Sequence, residues 1–263
     1  MDIARVVVMN SEMTVSAEPS APDAPVESAG QAAEMSLHNR LLDQWGMAIV
    51  GGDVHEGQHL PDPDFYEGTP SRTATREATR VLESMGLVSV KRKVGATVNP
   101  ADQWNIFDPQ VIDWRLRGPR RREVLHELSQ LREGVEPLAA QLAASNATPG
   151  DWATLTQAAI TMVAHSEEAN RPAYLAADEL FHRTLLKASG NSMFAALGDV
   201  ISSILIGRTK YELMPRKANE HALRLHSDVA ALIRRGDGQG AREAMEWIVG
   251  ESDAAIEQIA KGE

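Results

Sequence analysis

The sequence predicts a mostly α fold in two parts, a small N-terminal unit built on one helix and a short β-hairpin, and a larger C-terminal all-helical bundle. Three observations predict it. Apolar residues recur at helical spacing through most of the chain after Ser36. Residues 87–98 instead alternate in the manner of paired strands. From Arg120 onward, helical segments follow one another across short breaks such as Gly190-Asn191 and Gly236-Asp237-Gly238.

Composition bounds the class. A chain of 263 residues with 43% hydrophobic and 24% charged residues can bury a sizeable core and suits one large or two modest domains. No apolar run is long enough to span a bilayer, and the N-terminus lacks a basic segment followed by an apolar one, so a cytoplasmic location with no membrane partner is expected. The absence of cysteine excludes disulfides, thiolate metal sites and cysteine nucleophiles. Residues 1–35 are expected to be a disordered tail, because 11–33 are rich in Ala, Pro, Ser and Glu and carry no aromatic residue.

In chain order, Leu37, Leu41, Leu42, Trp45, Ala48 and Ile49 predict a first helix that ends at Gly51-Gly52. Residues 55–70 hold Pro61, Pro63, Gly68 and Pro70, leaving room for about one turn. Ser71 is a good N-cap for a helix carrying Ala74, Ala78, Val81, Leu82 and Met85, with Gly86 at its C-terminal end. Leu87, Val88 and Val90 then lead into Lys91-Arg92-Lys93, and Gly95 turns the chain back to Thr97-Val98. From Ser71 to Val98, six cations, Arg72, Arg76, Arg80, Lys91, Arg92 and Lys93, stand against Glu77 and Glu83, a local balance of +4 in a chain of net charge −11. A helix followed by a basic-tipped hairpin points to a helix in a DNA groove and a wing on the phosphates. The same charges also fit an amphipathic surface helix beside a charged hairpin.

Domain boundaries are expected at 36–98 for this unit, 99–119 for a linker anchored by Trp104 and Trp114, and 120–263 for the bundle. The bundle reads as helices over 123–145, from an Asp151 cap to about 170, 171–189, 192 to about 213, 219–235 and 239–261. Within it, Asp178 and His182 share a helix face at i and i+4 and can converge on one ion, while Leu180 and Phe181 turn into packing. His226 is the best third candidate. A histidine taken singly is more often a hydrogen-bonded core residue than a ligand, and it is Asp178 and His182 together that bring the two readings near to even. Enzyme motifs fail: His126-Glu127-Leu128-Ser129-Gln130 lacks the second histidine of a zinc-peptidase helix, and no nucleophile elbow is present. The expectation is therefore not an enzyme; the rival class, a metal-dependent hydrolase with a helical core, would leave the basic hairpin unexplained.

Taken together, Ile49-x-x-Gly52, Gly57-x-x-Leu60-Pro61, Ser71-Arg72-Thr73, Arg76-Glu77-Ala78, Gly86-Leu87-Val88 and Gly95-x-x-Val98 resemble the winged helix-turn-helix of the GntR superfamily of bacterial transcription regulators. Leu131-Arg132-x-x-Val135-Glu136-Pro137, Asp178-x-x-Phe181-His182, Ser189-Gly190-Asn191 and His226 through Gly236-Asp237 resemble its FadR-type effector (FCD) domain. Gln103-Trp104-Asn105, Asp108-Pro109 and Trp114 are similar to the DgoR-like, sugar-acid-sensing branch. The resemblance implies a ligand-responsive homodimer, a repressor on palindromic double-stranded operator DNA released by a small carboxylate effector. It implies DNA contact through Arg72, Thr73, Arg76, Arg80, Lys91, Arg92, Lys93 and Gly95, and a divalent ion of the Zn, Ni or Mn class on Asp178, His182 and His226. Arg132 and Ser203 would hold the effector.

Two departures stand out. Ile248 occupies the position where the family commonly supplies a fourth, histidine ligand, which lowers the expected metal affinity and keeps open a regulator with a vestigial, structural pocket. Residues 62–70, DPDFYEGTP, replace a regular positioning helix with a shorter, acidic stretch.

Overall fold

A computed structural model describes residues 37–62, 70–169, 172–210 and 217–261. Helix α1 spans Leu37–Gly51 and helix α2 Arg72–Ser84. As the sequence requires, Ser71 caps α2, its Oγ accepting from the Ala74 N–H at 3.1 Å. The chain leaves α2 through Gly86 at φ +74°, where a Cβ would lie 2.3 Å from the Gln103 carbonyl oxygen. Both the left-handed backbone and the close approach demand glycine there. Strands β1 (Val88–Lys91) and β2 (Gly95–Val98) pair antiparallel, Val88 opposite Val98 and Lys91 opposite Gly95. Lys93, at φ 69°, sits in the left-handed turn between them. Residues 57–60 extend this ribbon: the Gly57 N–H donates to Val98 O at 2.9 Å, and the Val98 N–H to Gln58 O at 2.9 Å. Most of the 62–70 stretch, at 63–69, lies outside the described residues.

Leu41, Trp45 and Ile49 of α1, Ala78 and Leu82 of α2, and Leu87, Val88 and Val98 of the hairpin form one apolar cluster, which Val111 and Trp114 complete. These last two come from the expected linker, 99–119, which holds a 3-10 turn at Ala101–Gln103 and a helix, α3 (Pro109–Arg117). Asp108 caps α3 by accepting from the Gln110 N–H at 2.8 Å, and Pro109 occupies the first turn, where no N–H is needed. Trp114, wholly buried, lies against Gly46 so closely that a Cβ there would stand 2.4 Å from its ring. Ile112 and Leu116, from the same helix, enter a second cluster with Val124, Leu125, Leu128, Leu186, Val200, Ile201 and Ile204.

The bundle comprises α4 (Arg121–Asn146), α5 (Pro149–Ala164), α6 (Pro172–Ala188), α7 (Ser192–Ala196), α8 (Gly198–Lys210), α9 (Glu220–Arg235) and α10 (Gly238–Lys261). Three boundaries differ from expectation. Thr148, not Asp151, caps α5: its Oγ1 accepts from the Asp151 N–H while Asp151 accepts from the Thr148 N–H, a reciprocal capping box. That helix stops at Ala164. The helix expected from 192 breaks at Leu197 into α7 and α8. Helix α9 ends as read, with Gly236 left-handed at φ 76° and its N–H returned to Ile233 O. Helices α4, α5, α6, α9 and α10 enclose the largest cluster, including Leu155, Met162, Phe181, Leu185, Val229, Ile233 and Met245. No helix among the described residues is long and apolar enough to cross a membrane.

Candidate functional site

Helix α6 carries Asp178 and His182 one turn apart on its buried face, and α9 brings His226 across to them. All three side chains are buried, and one donor atom from each lies within 4.8 Å of the others. Asp178 Oδ1 stands 3.4 Å from His182 Nε2 and 3.5 Å from His226 Nε2. Bonds of about 2.1 Å to a tetrahedral ion place ligand atoms about 3.4 Å apart, which is the separation of Asp178 Oδ1 from each imidazole nitrogen. Phe181, expected to turn away into packing, does so against the site itself, with its ring edge-on to His226 at 4.9 Å and to His182 at 5.7 Å. Leu180, read as packed, is 45% exposed.

Proton placement follows from the neighbours. His226 Nδ1 lies 2.7 Å from the Ala222 carbonyl oxygen and must donate to it, which leaves Nε2 a lone pair. That Nε2 is buried and has no hydrogen-bond partner, the condition a metal ion would relieve. On α4, Glu136 Oε2 stands 2.6 Å from His182 Nδ1. Two lone pairs cannot approach so closely, so Nδ1 carries the proton although its alignment falls short of a straight hydrogen bond. The other carboxylate oxygen accepts from Arg132 Nε at 2.8 Å, and Arg132 Nη2 reaches His182 Nε2 at 3.3 Å.

The charges are strongly coupled. Burial pushes the Glu136 carboxyl up, but Arg132 and His182 outweigh it and hold the group at about 2. Asp178 is likewise held well below the usual carboxylate range: its burial pushes the carboxyl up, but the His182 and His226 imidazoles beside it outweigh that. For His182, burial works against the charged form, yet Glu136 and Asp178 together raise it. Glu136 was missed from sequence as a member of the site. Its signal, an acidic residue one turn after Arg132, became specific only when α6 packed His182 against it.

The expected nucleic-acid residues lie elsewhere. Arg72, Thr73, Arg76 and Arg80 are exposed on α2, opposite its buried Ala78 and Leu82, and Lys91, Arg92, Lys93 and Gly95 are exposed at the hairpin tip. Arg80 is partly engaged by Glu77 at 2.9 Å. Ser203, the second expected effector contact, donates its hydroxyl to Asp199 O one turn back on α8 at 2.9 Å.

Residues 127–250 match the FCD domain family. The chain is also 30% identical over 224 residues to the galactonate operon transcriptional repressor of Escherichia coli (strain K12), a match that covers 84% of this chain and 97% of that protein. The chain belongs to the GntR family of FCD-domain transcriptional regulators. A second relative, the uncharacterized HTH-type transcriptional regulator YieP of the same organism, is 25% identical over 232 residues, covering 87% of this chain and 99% of its own. Among solved structures, that of Lar, which controls expression of the Listeria monocytogenes agr system, superposes with a TM-score of 0.51 at 17% identity over 85% of this chain and 97% of its own, a likeness of fold alone.

The FCD match contains every residue of the buried cluster, and also Ile248. In this GntR regulator Ile248 is buried in the main apolar cluster with Met245 and Val249.

Proposed function

We propose that this GntR-family regulator is a homodimeric repressor of sugar-acid catabolic genes. In this reading it binds palindromic operator DNA through Arg72, Thr73, Arg76 and Arg80 in the groove and Lys91, Arg92, Lys93 and Gly95 on the phosphates. A small carboxylate effector, received at Arg132 with Ser203 as a hydroxyl contact, releases the DNA. The observation that carries the sensor reading is Arg132 itself. A guanidinium only 2% exposed, held by Glu136 through Nε at 2.8 Å, stands beside three buried donors of metal-ligand type, and a planar fork so placed suits a carboxylate received beside an ion there. The sugar-acid class rests on the kinship with the galactonate operon repressor.

Asp178, His182 and His226 fit a divalent ion: two imidazole nitrogens and one carboxylate oxygen suit zinc, nickel or manganese. Such an ion, when bound, supplies Lewis-acid attraction for effector oxygens. The chain's own residues do the rest: Ala222 O fixes the His226 tautomer, Glu136 fixes that of His182, and Phe181 keeps water from the ring faces. A second reading, in which the pocket is only structural, is favoured by the apolar Ile248, which contributes no donor.

A thermal-shift screen of the full chain against aldonates, ketoaldonates and uronates, with and without zinc, tests both. The expected result is stabilisation by at least one sugar acid that depends on zinc, together with weaker binding to the chain's own upstream DNA. No stabilisation by any sugar acid overturns the effector class. Failure to retain zinc by elemental analysis overturns the metal and favours the structural pocket.

A further inference from the structure

His182 is gripped at both ring nitrogens by a pair that also binds itself. Glu136 Oε2 faces Nδ1 at 2.6 Å, Arg132 Nη2 faces Nε2 at 3.3 Å, and Arg132 Nε donates to Glu136 Oε1 at 2.8 Å. With the proton on Nδ1, the lone pair of Nε2 accepts from the guanidinium, yet Nε2 is also the atom that faces Asp178 at 3.4 Å, where a ligand atom is needed. One lone pair serves one partner.

We propose that Arg132 and a divalent cation compete for His182 Nε2, with Glu136 as the positioning residue that anchors the arginine in either state. This rests on the metal reading above and extends it to the order of events. Because the bond from Nε to Glu136 lies at the base of the rigid guanidinium, a tilt of the whole plane about that bond carries Nη2 off His182 while the buried ion pair stays intact. Both residues stand one turn apart on α4, and neither charge becomes exposed or unpaired in the exchange. The displaced Nη2 then presents its donors to a carboxylate beside the ion. Loading of the site thereby prepares the effector contact, and each ligand tightens the other.

The test is calorimetric titration of zinc into the chelator-stripped full chain. Two variants keep the buried charges balanced while removing the donor at Nε2: Arg132→Lys, whose single ammonium cannot hold Glu136 and His182 together, and the double variant Arg132→Gln/Glu136→Gln. Both are expected to bind zinc more tightly than the unaltered protein, by about tenfold, because no guanidinium occupies the lone pair of His182 Nε2. Equal or weaker binding by variants with native far-ultraviolet circular dichroism overturns the competition. His226→Ala separates the two readings, since it removes a ligand that the arginine does not occupy. If it binds zinc as well as the unaltered chain, the metal reading fails and the competition fails with it. If it loses zinc while the Arg132 variants match the unaltered chain, only the competition fails. A readout on the unaltered protein guards against variants that do not fold. In crystals soaked with zinc the separation between Arg132 Nη2 and His182 Nε2 is expected beyond hydrogen-bonding range with Nε still on Glu136. An unchanged 3.3 Å with zinc on His182 overturns the proposal.

Discussion

Arg72 and Arg76 differ from Lys91, Arg92 and Lys93 in what the backbone fixes. The arginines project from the first two turns of a capped helix, so their planar forks have defined origins and can meet base edges bidentately, whereas the hairpin lysines and Arg92 surround a left-handed turn and offer charge without register. In the proposed complex, Arg72→Ala should cost about 1–3 kcal/mol on the operator and relax base discrimination, while Lys91→Ala should weaken all sequences alike and reduce the salt slope by about 1. Fluorescence anisotropy on operator and random duplexes across a salt series distinguishes them. Equal losses on both duplexes for Arg72→Ala would remove its base-reading role. The exposure of Arg72 and Arg76 was legible in the sequence because helical spacing sets them opposite Ala78 and Leu82. Glu136 was not, since a lone carboxylate on α4 gains meaning only from His182, 46 positions later and brought against it by packing.

The elements divide by how local their cause is. Helix α2 was legible because Ser71, an apolar stripe and Gly86 lie within one short segment, and the Asp178/His182 pair because i and i+4 share a face on any helix. Helix α3 falls in the expected linker because a nine-residue helix that opens on Pro109 carries too little periodicity, and its identity comes from contacts with two separate clusters. The α5 cap shows a competition between neighbours: Thr148 and Asp151 are both cap formers, and the reciprocal box decides for Thr148 as N-cap with Asp151 at N3. Thr148→Ala should destabilise the chain by about 1 kcal/mol, read from urea denaturation. The Asp151 carboxyl is held below its ordinary 3.8, first by the Thr148 hydroxyl and then by the Thr148 N–H. A depressed carboxyl contributes stability that is present above the unfolded value and lost as pH falls through the folded one, so the deficit of Thr148→Ala relative to the unaltered chain should shrink only below about pH 3.8. A deficit that shrinks between pH 7 and 5 would assign the effect to another group.

At the scale of the whole molecule, helix α3 joins the apolar cluster of α1, α2 and the hairpin to that of α4, α6 and α8. One face of this nine-residue helix gives Val111 and Trp114 to the cluster of α1, α2 and the hairpin, and the other gives Ile112 and Leu116 to the cluster of α4, α6 and α8. Its register against α1 is set by Asp43, which accepts from Trp114 Nε1 at 2.8 Å and from both terminal nitrogens of Arg117. Arg117 has a second acid, Asp113 at 2.9 Å, but the wholly buried indole donates to Asp43. Asp43→Ala therefore leaves a buried N–H without its acceptor, which costs about 1–3 kcal/mol, and loosens α1 on α3 without touching the Asp178, His182 and His226 cluster. Two consequences follow if α3 couples the two clusters. Calorimetric unfolding should broaden or split, with the earlier transition belonging to α1, α2 and the hairpin, and effector-dependent release of DNA should shrink while zinc affinity is unchanged. A single sharp transition at reduced Tm, with full effector-dependent release, would locate the coupling elsewhere in the fold.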